Sequence, residues 1–149
     1  MKPEDFLTLA KELHSSGNEA ALRSATSRAY YAAFHKGREI IASMKFKLST
    51  GSAAHGEICN YLQNSGDSMM VAAGQKLESL RSIRNKADYR LDIQHVATSS
   101  NTSLHLANAE KIIDALGATQ TLHNIDKIQD SIHAYLEKLQ PKEETGSED

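Results

Sequence analysis

The sequence predicts an all-α protein, an antiparallel bundle of about five helices with one further helix at the C-terminal end. Three observations predict it. Apolar residues recur three and four positions apart along most of the chain, the spacing that lines one face of an α-helix. No segment alternates residue by residue as a half-buried strand requires. Short clusters of Ser, Gly, Asn and Asp divide the periodic stretches, and these residues favour turns.

The first helix is read from Phe6, Leu9, Ala10 and Leu13, and stops near Ser15-Ser16-Gly17. The second runs from about Glu19 to Met44. It carries Leu22, Ala25, Ala29, Ala33, Gly37 and Ile40 on one line, flanked by Tyr30, Phe34 and Ile41. Small residues on that line let a neighbouring helix approach closely. A loop from Lys47 to Ser52 leads to a shorter third helix with Ile58, Tyr61 and Leu62. Asn64-Ser65-Gly66-Asp67-Ser68 is turn chemistry, with Asp67 or Ser68 as the N-cap of a fourth helix that ends near Tyr89.

From Arg90 to Thr102 the periodicity fades, and Ser99-Ser100-Asn101 reads as an exposed loop with an N-cap at its end. Helical spacing resumes at Leu106, Ala109, Ile113 and Leu116. It continues beyond a break at Gly117 with Ile125, Ile128, Ile132, Tyr135 and Leu139, as two helices or one bent one. Pro141 ends the pattern. Residues 1–140 are therefore expected to form a single helical domain and residues 141–149 a disordered acidic tail.

A chain of 149 residues supports one ordinary core. No run approaches the roughly 18 apolar residues of a membrane span, and the first residues lack a signal peptide's apolar stretch. A cytoplasmic protein with no membrane partner is expected. The single cysteine, Cys59, has no partner for an internal disulfide and reads as a packed thiol. No two of the seven histidines stand three or four apart, so no helix face presents a ready metal pair, and neither metal nor cofactor is expected. The Walker loop, the Gly-x-Ser-x-Gly elbow and the His-Glu-x-x-His helix are all missing.

The net charge is −2, but it is unevenly distributed. Residues 23–90 hold eleven of the seventeen Lys and Arg and five of the nineteen Asp and Glu, so that segment stands at +6 and the remainder at −8. Such a division either turns one face toward phosphate or is a dipolar surface without a partner.

Arg84 lies on the apolar stripe of the fourth helix, in line with Met70, Ala73, Leu77, Leu80 and Ala87. A buried guanidinium costs several kcal/mol unless an anion meets it. The candidates are Asp88 one turn on, a carboxylate elsewhere in the fold, or an anionic ligand. On the second helix Ser27, Tyr31, His35 and Arg38 follow one another by four, four and three residues, which places them on one polar strip. On the fourth, Arg81, Arg84 and Asp88 do the same. If the two helices are neighbours, the strips converge on a set able to hold and cleave a phosphodiester. Arginine forks would grip the oxygens, and His35 or Asp88 would move protons at a ribose 2′-hydroxyl. The structural alternative is that Tyr31 and His35 pack with satisfied tips while Arg84 and Asp88 form an ion pair.

Ser27-Arg28-Ala29-Tyr30-Tyr31-Ala32-Ala33-Phe34-His35, His55-Gly56 and Arg84-Asn85-Lys86-Ala87-Asp88-Tyr89 resemble the small prokaryotic HEPN proteins in order and spacing, over roughly residues 5 to 116. The resemblance implies a four- or five-helix bundle, a homodimer, and a cleft near the dimer axis. It further implies RNA or nucleotide as the ligand, metal-independent endoribonuclease activity in many members, and a setting in toxin-antitoxin, phage-defence or CRISPR-linked systems. A nucleotidyltransferase or other antitoxin is the implied partner. In the ribonuclease members an Arg is followed, with four to six residues intervening, by a catalytic His. Arg84 matches that Arg, but Tyr89, Arg90 and Leu91 stand where the His is expected. Catalysis would then fall to Arg84 with Asp88, Tyr89 or His35, and phosphate binding to Arg81, Arg84, Ser27, Tyr31 and Arg38. The alternative reading is a non-catalytic nucleotide-binding or structural helical interaction module.

Overall fold

The structure, a computed structural model, describes residues 1–120 and 124–140; the acidic tail expected at 141–149 lies outside them. The described residues form six α-helices and no strand. Helix α1 spans Pro3–Ser16. Its first turn is closed where the Lys2 backbone N–H donates to the Asp5 carboxylate at 2.8 Å, and its end is closed by Gly17, whose φ of 74° favours a residue without a Cβ. Leu7 and Ala10 are the buried positions of α1, with Phe6 and Leu13 packed beside them. Leu9, expected on this face, is 40 % exposed. Two residues along a helix turn a side chain through about 200°, so once Leu7 faces the core, Leu9 cannot.

Helix α2, Glu19–Ser43, is the central element, packed by α1 and by the helices that follow. Its N-terminus is held by Asn18, which accepts from the Ala21 N–H at 2.9 Å. The line Leu22, Ala25, Ala29, Ala33, Gly37 and Ile40 is buried throughout. Helix α3 spans Ala53–Gln63 and α4 spans Ser68–Tyr89. Asp67 caps α4 by accepting from the Met70 N–H at 2.9 Å. Two glycines let α3 sit tightly between its neighbours. A Cβ on Gly37 would stand 2.8 Å from Ile58 Cγ2, and one on Gly74 would stand 2.9 Å from Leu62 Cβ.

A short 3₁₀ turn at His95–Ala97 precedes α5, Ser99–Thr119. Ser99, Ser100 and Asn101 are thus helical rather than loop. The cap is Thr98, whose hydroxyl accepts from the Asn101 N–H at 3.1 Å and so starts the helix three residues earlier than periodicity alone indicates. Gly117 does not interrupt α5. Helix α6, Ile125–Leu139, is separate and buries Ile128 and Ile132. It is tied to the loop ends at one end of the bundle. Gln129 donates to the Met44 carbonyl at 3.2 Å, Ser131 to the Asn64 carbonyl at 2.9 Å, and His133 lies 4.8 Å from the Phe46 ring. Among the described residues no helix is long and apolar enough to cross a membrane.

Candidate functional site

The apolar stripe of α4 is buried as the spacing requires, and Arg84 is buried with it at 6 % exposure. Its partners are few. Nη1 stands 3.6 Å from Asp88 Oδ2, an ion pair beyond hydrogen-bonding length. The guanidinium lies over the rings of Tyr30 and Tyr31, at 5.2 Å from each centroid. Nε is buried with no hydrogen-bond partner. Asp88 is held from α2, where Ser27 Oγ donates to its Oδ2 at 3.1 Å.

Helix α3 brings His55 to the same place. The Tyr30 hydroxyl and His55 Nδ1 are 2.5 Å apart, and Phe34 stacks on the imidazole at 4.4 Å. Burial, with the Cys59 thiol, pushes the Tyr30 phenol far up despite the opposing pull of Arg81 and Arg84. His55 is lowered by burial first and then by Arg81, Arg84, His35 and Arg38. His35 is lowered by burial and by Arg38. Burial likewise pushes the Cys59 thiol up to about 11, as fits a buried thiol with no disulfide. The phenol, thiol and imidazoles are all biased toward neutrality, so the guanidiniums of Arg81 and Arg84, set against the Asp88 carboxylate, give the cluster its charge.

The two strips do meet at one end. Ser27, Tyr30, Tyr31, His55, Arg84 and Asp88 form one contact set, and Arg81 acts on it electrostatically. His35 stands further along α2, stacked on Phe6 at 5.6 Å with Tyr31 at 6.2 Å. Arg38 reaches the α2–α3 loop, donating to the Ser49 carbonyl at 3.1 Å. Phe6, His35 and Arg38 also line an open cavity of about 580 Å³ with Lys2. Tyr89 is not in the cluster. It is 73 % exposed, because the residue after Asp88 is turned about 100° away from the cluster.

Two members of this cluster were not singled out by sequence. His55 opens α3, and only its place beside His35 and Arg84 in the family resemblance marks it. Tyr30 reads as a flanking core residue, and its hydroxyl gives no periodic signal. A second buried arginine, Arg23, is structural. It donates to the Ala87 carbonyl at 3.0 Å and the Ile93 carbonyl at 2.8 Å, with further bonds to Lys86, Arg90 and Leu91, so it closes the C-terminal end of α4.

Over 108 residues the chain is 28 % identical to an uncharacterized protein of Methanocaldococcus jannaschii, the match covering 60 % of this chain and 61 % of that protein. The chain thus spans less than two thirds of that relative's length. No family model matches it, and no solved structure matches it.

Proposed function

We propose that this chain binds RNA or a nucleotide through a phosphate group at Arg84, as a HEPN-like component of a toxin-antitoxin or phage-defence system. It would act as a homodimer with a nucleotidyltransferase or other antitoxin as partner. One observation carries the reading. Arg84 is buried against two tyrosine faces, its Nε has no hydrogen-bond partner, and its carboxylate neighbour stands at 3.6 Å. A guanidinium placed this way is short of hydrogen-bond acceptors, and a phosphate supplies them in the planar pair that arginine matches. Arg81 and the positive charge of residues 23–90 favour the same ligand.

The structural module remains a second reading, favoured by the ion pair of Arg84 with Asp88. Binding of a fluorescent single-stranded RNA separates the two. Arg84→Ala is expected to weaken it about ten- to a hundredfold, the worth of charge-assisted hydrogen bonds. Arg84→Lys keeps the charge but not the fork, and should fall between. Unchanged affinity in Arg84→Ala, with a lowered melting temperature, would leave the module. Incubating a synthetic RNA with the wild-type protein in a chelator then distinguishes a metal-independent endoribonuclease from a binder. Induced expression of wild type and Arg84→Ala, read by growth and RNA integrity, tests the effector role.

A further inference from the structure

Tyr30 is fully buried, and its hydroxyl has one hydrogen-bond partner, His55 Nδ1. Two arrangements fit that contact. In one the phenol donates to a bare Nδ1. In the other a protonated Nδ1 donates to the phenol oxygen, and the phenolic hydrogen is left in the core without an acceptor. Stranding a buried donor costs about 1–3 kcal/mol, and the first arrangement strands nothing. Burial also keeps the phenol protonated. With Nδ1 accepting, a neutral imidazole carries its proton on Nε2, on the other side of the ring from Tyr30.

The surroundings act in the same direction. Tyr31 from α2 packs edge-on against His55, Arg84 from α4 lies over the same Tyr30 and Tyr31 rings, and the charges of Arg81, Arg84, His35 and Arg38 all disfavour a charged imidazole. On α3, Cys59 is a neutral thiol, and Glu57 is engaged by the Ser49 hydroxyl and backbone N–H. Asp88 is committed to Ser27 and Arg84. Charging the ring would add a cation among cations and would turn Nδ1 into a second donor aimed at the Tyr30 hydroxyl.

We propose that Tyr30 locks His55 as a neutral donor, so that its Nε2–H joins Arg81 and Arg84 as a third ligand to a phosphate group of single-stranded RNA. This rests on the phosphate reading of Arg84. In this role His55 is a donor and not a base: its outward nitrogen holds a hydrogen and cannot accept one from a ribose 2′-hydroxyl. Tyr30 is a positioning residue acting through it.

The test uses the whole protein and a decamer of 2′-O-methyluridine, which binds as RNA does but offers no 2′-hydroxyl for cleavage. Nitrogen-15 NMR of the imidazoles should show His55 as the Nε2–H tautomer at pH 8, with its protonation displaced below that of an ordinary imidazole. In Tyr30→Phe the Nδ1–H form should appear and the ring should take up its second proton at a higher pH than in the wild type. His55→Phe keeps an aromatic ring for Phe34 and should lose several-fold in affinity for the decamer. His55→Gln, whose amide can donate, should recover part of the loss. A proton on Nδ1 in the wild type would overturn the proposal, and so would undiminished binding by a folded His55→Phe protein. Loss of binding in Arg84→Ala without loss in His55→Phe removes only the role of His55. Full binding in Arg84→Ala removes the phosphate reading beneath it.

Discussion

At the scale of single residues, the two buried arginines answer opposite needs. Arg23 spends its donors on backbone carbonyls around the end of α4 and on the Glu19 carboxylate, whereas Arg84 makes one long ion pair and two ring contacts. Arg23→Ala should therefore destabilise the fold by about 3 kcal/mol, the scale of losing hydrogen bonds to a charged group while stranding their acceptors. A urea melt reads this directly. A variant as stable as the wild type would mean that water satisfies those carbonyls. Arg84 was legible in the sequence because a charge on an apolar stripe violates the pattern around it. Arg23 was not, because apart from Glu19 one turn earlier, an ordinary surface pair, its partners are carbonyls, which every residue has. His55 was not legible as a site residue because Tyr30, Phe34 and Arg81, which give it meaning, lie on other helices.

At the scale of the elements, the helices were legible wherever periodicity and caps agreed, as for α2 and α4. They were misplaced where a cap worked against periodicity. Thr98 starts α5 before its apolar stripe begins, so Ser99 to Asn101 looked like loop. Close approach is a property of pairs of helices and leaves only a glycine as its trace. At Gly74 an added Cβ would meet Leu62 Cβ, Gln63 Cγ at 3.0 Å and the Cys59 backbone oxygen at 3.3 Å. Helix propensity alone would make Gly74→Ala stabilising by about 1 kcal/mol. Overpacking costs about 1–3 kcal/mol and should win, because a backbone oxygen cannot step aside. At Gly117 an added Cβ meets nothing within 4 Å, so Gly117→Ala should stabilise by up to about 1 kcal/mol. Thermal melts of the pair, opposite in sign, check the argument.

At the scale of the whole molecule, acid should loosen the fold through its histidines. His105 is buried beside Thr26 Oγ1 at 3.1 Å, and burial lowers it from 6.5; His35 and His55 are lowered as well, by burial first. A folded-state value below the unfolded one means that the unfolded chain binds more protons. Stability from these groups is complete above about pH 6.5 and is lost as the pH falls below it. The melting temperature should drop by several degrees between pH 7.5 and pH 5.5, and His105→Gln should flatten that slope. A slope unchanged in His105→Gln would assign the acid sensitivity to other groups. Charge is also organised at this scale: the segment at +6 runs along most of α2 and through α3 to the end of α4, the three helices that meet at Arg84.

Gly37 lies on the side of α2 that meets α3, where Ile58 fills the space its side chain would take. Ile58 follows His55 by three residues on α3, so the two move as one rigid piece. The missing methyl is therefore a spacer that sets how far His55 stands from Tyr30. A methyl inserted there would act as a shim, lifting α3 and lengthening the 2.5 Å contact without approaching the imidazole. The protonation pattern of the cluster is in this sense tuned by a residue that carries no chemistry.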